Sequence, residues 1–273
     1  MSQEWQQSLL NDIRTSLKAQ QDVKALALSG SLANKSLVAD GWSDIDLTAI
    51  VADEAIDRLF SDRSWLESYG DILGLERHDK PGGKLLRVCF APCRRVDFRL
   101  VSDSVLDKEV AHQNAAAGGA YVLLWSKIPI ADAFFQGQFQ EPIFEGVPER
   151  NVAEIVDAFW YKASLATAKI VRNDLLVALH LALDLIRDCL VIQMLLRDKE
   201  LGTNIHRVGG PGNDILTHLY RQTGGSYPLE ILKLVKHSTR LFDDLAPQLL
   251  PSYTARVELF LPALEQAETQ CRT

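Results

Sequence analysis

The chain has 273 residues, 47% hydrophobic and 24% charged, enough to bury a sizeable core in one large domain or two modest ones. Its formal charge of -7, from 29 basic and 36 acidic residues without any run of Lys or Arg, argues against a polymeric nucleic-acid partner, which calls for a basic stripe. The opening MSQEWQQSLLNDIR lacks a signal-peptide core, and the apolar run 175–196 is broken by polar residues, so a cytoplasmic protein without a membrane span is expected.

Residues 3–20 carry Leu9, Leu10, Ile13 and Leu17 at helical spacing and predict an amphipathic helix. Val23 to Leu28 reads as a buried strand ending in the turn signal Ser29-Gly30-Ser31. After a polar loop, Ile45 to Val51 reads as a second strand, and 53–69 as a helix. Ile72 to Arg77 and Leu85 to Phe90 read as strands joined by a hairpin-like turn at 79–83, and Val96 to Val101 as a further strand. Residues 128–150 hold three prolines and read as a linker. From Val152 the periodicity is helical, over 152–172, 174–199, 213–222, 228–246 and 252–270, with Gly202 placed to end the longest helix. The expected class is α+β: a mixed-sheet domain over 1–145, then a helical bundle over 146–273, with the ligand site expected in the cleft between them. Cys89, Cys93, Cys189 and Cys271 show no zinc-ligand spacing and are expected to be reduced thiols.

The chemistry concentrates in Gly30-Ser31 and, after twelve intervening residues, Asp44-Ile45-Asp46. Residues two apart in a strand share a face, so Asp44 and Asp46 aim two carboxylates in one direction. Such a pair raises one pKa unless a cation lies between, and hard oxygen ligands suit Mg²⁺. Asp97, on a later strand, would complete a site for two metal ions and is the best candidate for the general base. Gly30 permits close backbone approach, and the Ser31 hydroxyl and N–H offer an anion site. Singly, an Asp-x-Asp pair is often a solvated strand end and Gly-Ser only a turn; their order along the chain is the restrictive signal.

Ser29-Gly30-Ser31-Leu32-Ala33-Asn34, then Asp40, then Ser43-Asp44-Ile45-Asp46-Leu47 resembles the signature of the DNA polymerase β-like nucleotidyltransferases. Within that superfamily the chain is most similar to the aminoglycoside 6-adenylyltransferases, also called streptomycin adenylyltransferases. Arg95-Val96-Asp97-Phe98 resembles their later Arg-Ile-Asp strand, and 158–161 and 168–176 resemble their Phe-Trp run and Lys…Arg-x-Glu-Leu segment. The resemblance is strong over 28–51 and 94–101 and looser over 157–200. It departs at Leu32, where the family has Arg, and at Ile45, where it has Tyr.

The resemblance implies an enzyme that transfers AMP from ATP, with Mg²⁺, to a hydroxyl of a small molecule, an aminoglycoside such as streptomycin, releasing pyrophosphate. It makes Lys169 a triphosphate ligand; read alone, a helical Lys is more often solvated. His180, Asp184, Arg187 and Asp188 share one face of an otherwise apolar helix. That face is either an internal salt-bridge network or an acceptor-binding wall, with Asp184 and Asp188 receiving cationic groups. His180 is a second candidate base. Trp160 and Tyr161 read as core or as a stacking platform; the His206–Gly210 loop has no assigned role. Two other readings stay open: the same fold acting on a metabolite or a protein, and a nucleotide-binding module without turnover.

Overall fold

In the computed structural model, residues 4–34, 39–80, 83–105, 121–129, 174–203, 209–214 and 254–272 are described, with Gly146, Glu154, Ile155, Ala158, Phe159, Tyr161, Leu165 and Leu216 as single positions. The chain groups into two compact units, 1–141 together with 228–273, and 142–227. The boundary read at 145/146 therefore meets a chain whose last segment groups with the sheet.

The first unit is built on six strands: β1 (Val23–Ser29), β2 (Ile45–Val51), β3 (Ile72–Lys80), β4 (Gly83–Phe90), β5 (Arg94–Ser102) and β6 (Val122–Ser126). Their order across the sheet is β3-β4-β5-β2-β1-β6. The central pair, β2 and β5, is parallel, and the other pairs are antiparallel. The β1–β2, β3–β4 and β4–β5 neighbours are close in sequence. The β2–β5 pairing is made across two helices and a hairpin, and it brings the start of β5 beside the start of β2.

Alternation along the strands separates two faces. Leu26, Leu28, Leu47, Ala49, Phe98 and Leu100 belong to the large core cluster with helix α1 (Glu4–Ala19), which buries Leu9, Leu10, Ile13 and Leu17. The opposite face carries the small cluster of Ala25, Ala27, Ile50 and Val101. Asp46 and Asp97 lie in phase with Ile50 and Val101, so they project from this second face.

The helix expected over 53–69 is two, α3 (Asp53–Ser61) and α4 (Ser64–Glu67), following the single turn α2 (Gly30–Ala33). Asp62 causes the break: its carboxylate accepts from the Ser64 N–H at 2.9 Å and the Ser64 hydroxyl at 2.7 Å, a local bond that competes with helix continuation. The edge strand β6 had no counterpart in the sequence reading, because its five residues show no polar–apolar alternation. Trp125 nonetheless buries its ring, with 7% exposed.

In the second unit α5 (Leu175–Leu201) ends at Gly202, whose φ of 63° is the left-handed cap expected there. Helix α6 (Val257–Arg272) belongs to the first unit, where the Arg256 guanidinium donates to the Leu73 carbonyl. The helices expected over 152–172, 213–222 and 228–246 fall largely or wholly outside the described residues. Among the described residues no helix is long and apolar enough to cross a membrane. Cys89, Cys93 and Cys189 are free thiols.

Candidate active site

Asp46 is the second residue of β2 and stands directly opposite Asp97 in the parallel ladder to β5. Asp44 precedes β2 by one residue. Each of the three offers a carboxylate oxygen, and these oxygens lie within 4.8 Å of one another. Among the described residues this is the sole cluster of His, Cys, Asp and Glu able to hold a metal ion.

The cluster is electrostatically uncomfortable. Burial pushes the Asp46 carboxyl up to about 7, and the charges of Asp44 and then Asp97 push the same way, against Arg87 and Arg95. Burial also raises Asp97, while Arg87 opposes it by charge and by a hydrogen bond. Three hard oxygen donors, one of them unable to ionise freely at neutral pH, are the donor set that a divalent cation such as Mg²⁺ satisfies. The residues therefore fit the metal.

Gly30 holds the other side. Its φ is 69°, and a Cβ there would lie 1.9 Å from Asp46 Oδ2. Glycine is thus required twice, by the backbone conformation and by the closeness of the carboxylate. Ser29, at the end of β1, pairs with Asp46 across the sheet, so Ser31 falls in the turn immediately beyond. Leu32, where the similar signature has Arg, packs its partly buried side chain against the main core.

A family model described as streptomycin adenylyltransferase matches residues 4–203, most of the chain. The chain belongs to the streptomycin adenylyltransferase family. It is accordingly a nucleotidyltransferase. Among solved structures, it is similar to an aminoglycoside 6-adenyltransferase from Bacillus subtilis, at 12% identity and TM-score 0.31, covering 95% of this chain and 96% of that one. It is also similar to a nucleotidyltransferase-like protein from Exiguobacterium sibiricum, at 14% identity and TM-score 0.25, covering 96% and 74%. Scores this low carry no argument, and the assignment rests on the family match. No curated protein sequence matches the chain.

The family signature includes a spaced aspartate before the Asp-x-Asp pair, and Asp40 shows what it does here. Its Oδ1 accepts from the Trp42 N–H at 2.8 Å and the Ser43 hydroxyl at 3.2 Å, closing a tight turn that feeds Asp44 into β2. The turn is held from outside as well. Gln6 of α1 donates to the carbonyls of Asp40 at 2.7 Å and Ser43 at 3.0 Å. Trp5 donates to Gly41 at 3.0 Å, and Arg95 to Trp42 at 2.7 Å. Four successive carbonyls thus accept side-chain donors. Arg95 of the family's Arg-x-Asp strand is accounted for by that contact.

Sequence reasoning did not single out Trp5, Gln6 or Arg87. Gln6 is 2% exposed and lies on the same buried face as the leucines of α1, the one polar intruder there. That intrusion was a readable signal. Arg87 carried none, since only strand register places it opposite Asp97.

Of the remaining sequence candidates, Lys169 and Trp160 lie outside the described residues, as does most of the His206–Gly210 loop. On α5, His180 is exposed, Asp184 is half-buried and Asp188 is buried. Arg187 lies 3.5 Å from Asp184 and 3.7 Å from Asp188, so the stripe contains the ion pairs that a structural reading requires. Tyr161 is 71% exposed.

Proposed function

We propose that this nucleotidyltransferase moves AMP from ATP to a hydroxyl of an aminoglycoside of the streptomycin type, with release of pyrophosphate. The observation that carries the reading is the convergence of Asp44, Asp46 and Asp97 beside the Gly30–Ser31 turn. A hydroxyl attacking the α-phosphorus in line must lose a proton, and the departing pyrophosphate must be held.

Asp44 and Asp46 would hold Mg²⁺, with Asp97 shared with a second ion. When bound, the metal supplies positive charge to the phosphate oxygens and lowers the pKa of a coordinated hydroxyl. Gly30 leaves the backbone open to close approach by the β- or γ-phosphate, and the Ser31 hydroxyl and N–H donate to it. Asp97 accepts the acceptor's proton; its burial-raised pKa suits a base. Lys169 is assigned to the triphosphate by the family signature. Asp184 and Asp188 are assigned to the ammonium or guanidinium groups of the acceptor, with His180 beside them. The proposed division of labour is a catalytic half over 1–145 and an acceptor-binding half over 146–273, although 228–273 group with the sheet unit. A cytoplasmic location fits ATP as donor.

Incubation with α-labelled ATP, Mg²⁺ and an aminoglycoside panel tests this directly. Label is expected on streptomycin or a close relative, with stoichiometric pyrophosphate. Pyrophosphate release without transfer to any panel member would sink the acceptor assignment and leave the nucleotidyl chemistry standing.

A further inference from the structure

A row of directly opposed residues crosses five strands of the sheet. Ser29 on β1 faces Asp46 on β2, Asp46 faces Asp97 on β5, Asp97 faces Arg87 on β4, and Arg87 faces Glu76 on β3. The row changes sign along its length, and Arg87 is the hinge of that change. Its Nε donates to Asp97 Oδ2 at 3.0 Å, and its Nη1 lies 3.7 Å from Glu76 Oε2. His78, one turn of the pleat further along β3, lies 3.5 Å from the same Glu76 carboxylate. Asp44 adds to the attraction on the guanidinium.

We propose that Arg87 is a built-in counter-ion of Asp97, competing with the divalent cation for that carboxylate and so setting the cation affinity of the site. The inference rests on the reading that Asp44, Asp46 and Asp97 hold a metal. A guanidinium against one oxygen of Asp97 satisfies the same charge that a cation would, and two positive charges against one carboxylate repel. Arg87 is placed to yield. Its side chain is 48% exposed, so it moves without opening the core, and Glu76, 66% exposed, offers it a second carboxylate on the far side. Arg95, the other cation that acts on Asp46, is instead committed to the Trp42 carbonyl. Arg87 is thus a positioning residue, acting through Asp97.

Mn²⁺ titration of the full chain without nucleotide, with free Mn²⁺ read by electron paramagnetic resonance, tests the inference. Arg87→Met is expected to tighten Mn²⁺ binding about tenfold, the size of losing one half-exposed charge-assisted pair, and Arg87→Lys is expected to fall between. Glu76→Gln is expected to weaken binding a few-fold, because the guanidinium loses its alternative partner, and to lose that effect in the Arg87→Met background. Unchanged or weaker Mn²⁺ binding by Arg87→Met and Arg87→Lys overturns the inference alone. Mn²⁺ binding that is absent, or indifferent to Asp44→Asn, overturns the metal reading and the inference with it.

Discussion

Two regions of this chain set carboxylates side by side, and they resolve the repulsion differently. On α5, Asp184 and Asp188 lie four residues apart with Arg187 reaching both. On the sheet, Asp44, Asp46 and Asp97 bring three carboxylates within 4.8 Å, with one ion pair to Arg87 at the outer edge. The helical pair is bridged by its own sequence neighbour. The sheet cluster is held against its repulsion by backbone register, by the strapped 40–43 turn and by the glycine at 30. Like charges held this close are what the proposed Mg²⁺ would relieve.

The largest expected effect comes from breaking the sheet cluster. Asp46→Asn, or Asp44→Asn with Asp46→Asn, is expected to lower pyrophosphate release at least about a thousandfold, as for loss of a metal ligand that is also charge-matched to the transition state. Stability should move the other way. With a folded pKa of about 7 against 3.8, Asp46 must give up in the folded state a proton that the unfolded chain has already lost. Its contribution to stability therefore falls as pH rises from 3.8 to about 7, by about 1.4 kcal/mol per pKa unit as an upper bound. In chelator at pH 8, Asp46→Asn should resist urea better than the parent, and the difference should vanish at pH 4. A variant less stable than the parent at pH 8 would contradict the strain on this carboxylate.

Gly30→Ala should come next. The new methyl would meet Asp46 Oδ2 at 1.9 Å and would sit on a residue with φ of 69°. Activity is expected to drop about a hundredfold, because a misplacement near 1 Å at reacting groups has that size of effect. A Gly30→Ala enzyme with parental kcat would show that the carboxylate can relax without penalty.

Gln6→Met probes the support one layer further out. It keeps the volume and removes both donors to the turn. We expect about a tenfold loss of kcat with little change in nucleotide KM, together with a loss of about 1–3 kcal/mol of stability from the orphaned carbonyls. A stability loss with unchanged kcat would reduce Gln6 to a structural residue.

The two regions also differ in what the sequence disclosed. The bounds of β2 and the aim of Asp44 and Asp46 were readable because strand alternation and the Asp-x-Asp pair are local. The break at Asp62 was readable in principle, from an Asp two residues before a Ser. Arg87 was not, since its pairing with Asp97 depends on the register of β4 against β5, set by the 91–93 turn and not by any pattern within either strand. The hold of Gln6 on the 40–43 turn spans 34 residues and is equally invisible to periodicity. The family signature reached further than periodicity did, because it encodes such long-range constraints without displaying them.

The helical pair supplies the smallest and most discriminating test. Arg187 is 68% exposed, so Arg187→Met should cost no more than about 1 kcal/mol in stability. Should Asp184 and Asp188 receive the cationic groups of an aminoglycoside, Arg187 competes with that acceptor for them. Its removal then lowers acceptor KM a few-fold while kcat and the KM for ATP stay put. Should the pairs only brace α5, the acceptor KM does not move and the melting temperature falls slightly. The outcome decides whether the second acidic region is a binding wall held in reserve by its own arginine or a solved problem of helix packing, and a direct measurement of KM for the acceptor separates the two.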